Sequence, residues 1–115
     1  MKEISIIIKP EKIEQIKEIA DKHHCGGMTI STVMGCGTQL GYADGGSVVK
    51  GMHTSINLLP KIRVDVVVKN AAVNEIILDI CDKIPTGNVG DGKIFVRDIE
   101  DAIRIRTGER GEGVL

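Results

Sequence analysis

Ile4, Ile6 and Ile8 alternate with Glu3, Ser5 and the residues beyond them, which predicts a strand with one apolar face. Pro10 suits the first position of a helix, and Ile13, Ile16, Ile19 and Ala20 then form an apolar stripe between charged residues. Gly26-Gly27 is expected to end that helix, and Met28 to Met34 alternates again as a second strand. After a long glycine-containing stretch, Ile62, Val64, Val66 and Val68 give the clearest strand, alternating with Arg63 and Asp65. Asn70 is a plausible cap for a second helix, whose stripe is Val73, Ile76, Ile77, Ile80 and Cys81, and Pro85 stops it. Lys93 to Arg97 is strand-like, and Ile103 and Ile105 alternate with Arg104 and Arg106 in a last short strand.

The order is strand, helix, strand, twice over. Its natural closure is an α+β fold, the ferredoxin-like βαββαβ sandwich, with both helices covering one face of a four-stranded antiparallel sheet. The helices would cover Ile4, Ile6, Ile8, Val64, Val66 and Val68. Ile7, Val33, Val67 and Phe95 would face the other way, and that much apolar surface on an open sheet predicts an oligomer.

Composition narrows the function. A chain of 115 residues, 42% apolar, supports one domain over residues 1–115 with a single core. Fifteen basic residues against sixteen acidic ones leave a net charge of -1, so no basic excess exists to displace counterions from a nucleic acid. One Tyr, one Phe and no Trp leave almost nothing on which bases could stack. The three cysteines, Cys25, Cys36 and Cys81, are an odd count without a C-x-x-C pair, which favours a reducing cytoplasm over a disulfide framework. The first apolar run breaks at Lys9-Pro10, too short for a signal peptide, and no run approaches a membrane span. His23-His24-Cys25 invites a metal, but no further ligand sits at a suitable spacing. Histidines complementing the negative pole of a helix are the better reading.

The fourteen glycines carry the chemistry. None falls inside a predicted strand or helix. The stretch from Gly35 to Leu58 has no period of its own, and loops of that length in small domains are usually functional or disordered. A second cluster, Gly87-Asn88-Val89-Gly90-Asp91-Gly92-Lys93-Ile94, nearly matches the Walker loop, G-x-x-x-x-G-K-[ST]. Ile94 replaces the Mg²⁺-holding hydroxyl, and a helix precedes the loop where a strand should. A P-loop NTPase is excluded. Two readings stay open there: an anion nest of backbone N–H groups beside Lys93, and an ordinary helix-to-strand turn. The pair Arg104 and Arg106, on one side of a strand, suits a polyphosphate; the alternative is surface ion pairing with Glu100 and Asp101.

Taken together, Gly27-Met28-Thr29, Gly35-x-Gly37-x-Gln39-x-Gly41, Leu58-Leu59-Pro60-Lys61, Thr86-Gly87-x-x-Gly90-Asp91-Gly92-Lys93-Ile94-Phe95-Val96 and Ile103-Arg104-Ile105-Arg106-Thr107-Gly108 resemble the PII nitrogen-regulatory signal proteins over essentially the whole chain. The resemblance implies a cytoplasmic homotrimer that binds ATP or ADP competitively in clefts between subunits. It makes residues 37–57 the T-loop that touches targets, residues 86–93 the phosphate-binding loop, and residues 102–115 a C-terminal segment. By the same resemblance Gly90, Asp91, Gly92, Lys93, Arg104 and Arg106 cradle phosphates, with backbone from Gly35 and Gly37 and with Thr38 nearby. Gly27, Met28, Thr29 and Val67 surround the adenine. Gln39 holds Mg²⁺ between ATP and 2-oxoglutarate, and Lys61 pairs with a 2-oxoglutarate carboxylate, helped by backbone around Gln39, Leu40, Gly41 and Gly90.

That set describes a two-input sensor, because Mg²⁺ would join the second ligand to ATP and not to ADP. Nothing is placed as a general base, so a regulator with at most weak ATPase activity is expected. Targets implied are an ammonium transporter, nitrogenase or another nitrogen-assimilation protein, with a membrane approached only through a transporter. A sensor of a different metabolite, or a slow ATPase or phosphatase on the same fold, is the competing reading. The chain departs from the family at Thr38, where many relatives have Arg, and at Leu40, where Lys is usual. Thr54 stands where enteric members carry the modified tyrosine, which excludes uridylylation there. Lys50-Gly51 matches an Arg-Gly loop tip that plugs ammonium channels, and Lys keeps the charge but loses the planar fork.

Overall fold

The computed structural model describes residues 1–36, 48–49, 52–53 and 58–115. β1 (Lys2–Ile8) lies inside a four-stranded antiparallel sheet with β2 (Thr29–Cys36), β5 (Leu58–Val68) and β6 (Gly92–Asp98), in the order β2-β5-β1-β6. This is the ferredoxin-like arrangement the alternation predicts. β3 (Val48–Val49) and β4 (Met52–His53) form a separate small antiparallel pair within the long connection, which the sequence pattern did not reveal.

Ile4 faces Val66 and Val96, and Ile6 faces Val64 and Ile94, so the apolar positions of three strands stand in rows on one side. α1 (Ile13–Lys22) and α2 (Val73–Lys83) cover that side with Ile16, Ile19, Ile76 and Ile80, all buried. Each such side chain contributes about 1.5–3 kcal/mol by leaving water. Cys81, the last residue of the predicted α2 stripe, is exposed, so the buried stripe is narrower than the period suggests.

The open face is more polar than its apolar residues suggest. Ser5 is fully buried there, and its hydroxyl donates to Asp65 at 2.6 Å while Arg63 bonds the same carboxylate at 3.0 Å. Arg97 reaches Glu3 at 2.8 Å, and Phe95 stays half exposed. Burial opposes ionisation of Asp65, but the Ser5 and Arg63 hydrogen bonds and the arginine charges win, holding its carboxyl below the ordinary range.

Four local expectations need correction. Asn70 makes no side-chain cap; it opens a 3-10 turn, Asn70–Ala72, that leads into α2. α1 ends at Lys22 rather than at the glycine pair. His24, at φ 55, takes the left-handed position, with His24 N bonded to Asp21 O and Cys25 N to Ala20 O. That is the Schellman pattern made without glycine. β2 reaches Cys36 and β5 begins at Leu58, which puts Gly35 inside a strand opposite Leu59. Pro60 is tolerated because residues 58–61 pair only with β2, β1 having ended opposite Ile62.

The last predicted strand is absent. Ile103 makes one isolated bridge, to Arg110, and residues 105–107 form a turn closed by Gly108 N on Arg104 O at 2.7 Å. The Thr107-Gly108 pair folds the segment back on itself, with Gly108 at φ +72. Arg104 and Arg106 therefore do not share a strand face. Arg104 pairs with Glu109 at 2.9 Å, and Asp101 pairs with Arg110 instead.

Candidate functional site

The end of α2 and the start of β6 are joined by the loop Ile84–Asp91, whose shape is set by one side chain. The Asp91 carboxylate accepts from Thr86 N at 2.8 Å, Thr86 Oγ1 at 2.5 Å and Gly87 N at 3.1 Å. Thr86 Oγ1 in turn accepts from Asn88 N at 3.3 Å. The Thr86 hydroxyl first, then the Thr86 and Gly87 N–H groups and the Lys9 charge, hold the Asp91 carboxyl below the usual range against partial desolvation. The loop closes on Gly92, at φ +120, where any Cβ would collide with the carbonyl oxygen of Ile7.

Neighbouring strands bring two lysines to this loop. β1 and β6 place Ile8 opposite Gly92, so the next residues outward, Lys9 and Asp91, meet, with Nζ 3.6 Å from Oδ1. From β5, Lys61 Nζ donates to Gly90 O at 2.7 Å. Its stem passes over Gly35, where a Cβ would lie 3.1 Å from Lys61 Cγ. Lys93 follows Gly92 in β6, across from Ile7. Among the described residues the N–H groups of Val89, Gly90 and Asp91 meet no protein acceptor. This mouth presents backbone donors and three ammonium groups, which suits an anion bearing several oxygens. The adjoining cavity of about 310 Å³, between α2 and β6, is walled mainly by apolar side chains such as Ile77, Ile80, Ile84 and Pro85 and shares Asp91, Gly92 and Lys93 with this mouth.

Of the residues singled out in the sequence, Gly35, Lys61, Gly90, Asp91, Gly92 and Lys93 come together here. Gly27, Met28, Thr29 and Val67 do not join them. Thr29 sits opposite Asp65, four residues along β5 from Lys61, or about 13 Å at 3.3 Å per residue. Arg104 and Arg106 belong to the tail that follows β6. That tail starts with Ile99 N on Met1 O and ends with Leu115 against Gly26, at the end of the sheet away from Gly92. Gly37, Thr38, Gln39, Leu40, Gly41, Lys50, Gly51 and Thr54 lie outside the described residues. Lys9 and Thr86 were not singled out as site residues. Thr86 lay within the motif, but finding Lys9 needed the β1–β6 register.

Where the end of α1 meets the middle of α2, His23 Nε2 lies 2.5 Å from Asp79 Oδ2. Lys22 Nζ shares that oxygen at 2.9 Å. This is a cross-helix charge cluster. Among the described residues no group of three His, Cys, Asp or Glu could hold a metal, and no helix is long and apolar enough to cross a membrane.

A ferredoxin-like domain with a long strand connection and a glycine loop flanked by lysines is the class of molecule in hand. The family model "Nitrogen regulatory protein P-II" matches residues 1–109. Nitrogen regulatory protein P-II 2 of Methanothermobacter thermautotrophicus is 41% identical over 112 residues, covering 97% of this chain and 95% of that protein. Nitrogen regulatory protein GlnK of Escherichia coli K12 is 39% identical over 115 residues and all of both chains. Nitrogen regulatory protein P-II of Rhodospirillum rubrum is 41% identical over 111 residues, 96% of each. The chain belongs to the P-II family of nitrogen regulatory proteins.

Proposed function

We propose that this protein is a cytoplasmic P-II signal transducer that reads ATP against ADP together with 2-oxoglutarate, and reports the result to a nitrogen-assimilation target through residues 37–57. The observation that carries the reading is the meeting of Lys61 with Gly90 at the mouth of the glycine loop, 2.7 Å apart. Phosphates would lie on the N–H groups of Gly90, Asp91 and Gly92 with Lys93. The 2-oxoglutarate carboxylate would take Lys61. The two ligands then share Gly90 and influence one another through it, a coupling free energy in the strict sense. With Mg²⁺ bound, Gln39 would be its protein ligand and the ion would supply the link between the ATP phosphates and the 2-oxo acid.

The separation of Gly90–Lys93 from the tail arginines supports a site assembled between copies of the chain, in a homotrimer. One copy gives the glycine loop, and the next gives Arg104, Arg106 and the Gly27–Thr29 wall. The role is regulatory, as the nitrogen regulatory proteins this chain resembles support, with at most weak ATPase activity. The target is an ammonium transporter, nitrogenase or another protein of nitrogen assimilation.

Calorimetry tests the reading. 2-Oxoglutarate should bind when Mg²⁺-ATP is present and not with ADP, and Lys61→Ala should abolish that binding. Equal 2-oxoglutarate binding without ATP would sink it.

A further inference from the structure

Asp91 stands in the segment assigned to phosphate contact, yet its carboxylate turns away from any incoming anion and into its own loop. It occupies the N–H groups of Thr86 and Gly87 and the Thr86 hydroxyl, at 2.8, 3.1 and 2.5 Å. Those are donors a phosphate would otherwise take. The next N–H groups along, from Val89 to Asp91, are the ones left without a protein acceptor among the described residues. A fixed negative charge beside an anion site would repel its ligand, and Lys9 Nζ stands 3.6 Å from Oδ1, the oxygen that accepts the Thr86 hydroxyl, to offset it.

We propose that Asp91 is a positioning residue of the nucleotide site: it acts as a built-in anion that holds the loop in its receiving shape before the nucleotide arrives, with Lys9 as its counter-charge. This rests on the nucleotide reading above. A glycine-containing loop without such a tie would spend most of its time in other shapes, and apparent affinity falls by the fraction of time the competent shape is lost. A loop competent about one tenth to one hundredth of the time would bind about 10- to 100-fold more weakly. ATP and ADP should suffer alike, since the tie shapes the loop and touches neither ligand.

The experiment is calorimetric titration of the whole protein with ATP and with ADP, for wild type, Asp91→Ala, Asp91→Asn and Asp79→Ala. Asp79 is also a carboxylate that gathers several donors, but it lies within α2 against the end of α1 and bonds no residue of the loop, so its variant controls for general loss of stability. Asp91→Ala should lose about 10- to 100-fold for both nucleotides. Asp91→Asn, which keeps one acceptor oxygen, should lose less. Amide exchange at Thr86 and Gly87 in the free protein should quicken in Asp91→Ala only. Wild-type binding of ATP with Asp91→Ala within twofold of it would overturn the positioning role and leave the nucleotide reading standing. An equal loss in Asp79→Ala would also overturn it, as a stability effect. Failure of the wild type to bind either nucleotide would overturn both.

Discussion

Asp79 shows how much one side chain can organise. Lys22 and His23 reach it from the end of α1, and Lys83 approaches at 3.8 Å from its own helix. The Lys22 hydrogen bond first, then that of His23, lower its pKa to about 2. A carboxyl depressed in the folded state gives stability that is complete above its unfolded value of about 3.9 and lost as pH falls towards the folded one. Asp79→Asn should therefore melt below the wild type at pH 7. The gap should close between about pH 4 and pH 2, followed by circular dichroism. A gap that survives at pH 2 would mean the ionised carboxylate is not its source. Such clusters are invisible in the sequence, because Lys22 and Asp79 are brought together only by helix packing. The same holds for Lys9 and Asp91, whose meeting depends on strand register rather than on either residue's neighbours.

Among the elements, legibility followed periodicity. The alternation through Ile62–Val68 and the stripe from Val73 to Ile80 were plain because each pattern matches the period of its element and one face is buried. The start of β5 was hidden because Leu58-Leu59-Pro60 does not alternate, and proline in a strand is admissible only where one side lacks a partner. The tail was misread for the opposite reason: Ile103-Arg104-Ile105-Arg106 alternates, but the Thr107-Gly108 turn outweighs it and leaves Ile105 fully exposed. The end of α1 was misplaced because a histidine does the work that Gly26 offered to do. Holding His24 at φ 55 costs an L-residue about 1–2 kcal/mol. His24→Gly should therefore raise stability by about 1 kcal/mol, less the flexibility gained by the unfolded chain, in a urea unfolding series. A lowered midpoint would show that the His24 side chain contributes more than its backbone costs.

At the scale of the whole molecule, the sequence motif named both halves of the proposed site but could not show that they stand apart. β6 carries the chain from Gly92 to Asp98, away from the glycine loop, before Arg104 and Arg106 appear. Spacing along a chain says nothing of which end of a strand a motif occupies. A site shared between copies makes a sharp demand. Lys93→Ala and the double variant Arg104→Ala/Arg106→Ala should each bind ATP poorly alone. Unfolded together and refolded as mixed trimers, they should recover about one quarter of wild-type sites, the chance that a sound loop meets a sound pair of arginines. No recovery in mixed trimers would place both halves within one copy.

Gly35 has a consequence of a different kind, for inheritance. The fold itself makes room for a methyl group there, since only the flexible stem of Lys61 crowds the position, at 3.1 Å. What an alanine would shift is the ammonium resting on Gly90. If the proposed role of Lys61 holds, a methyl group at position 35 would leave the fold intact and disturb the signal, so the two positions would be expected to change as a pair.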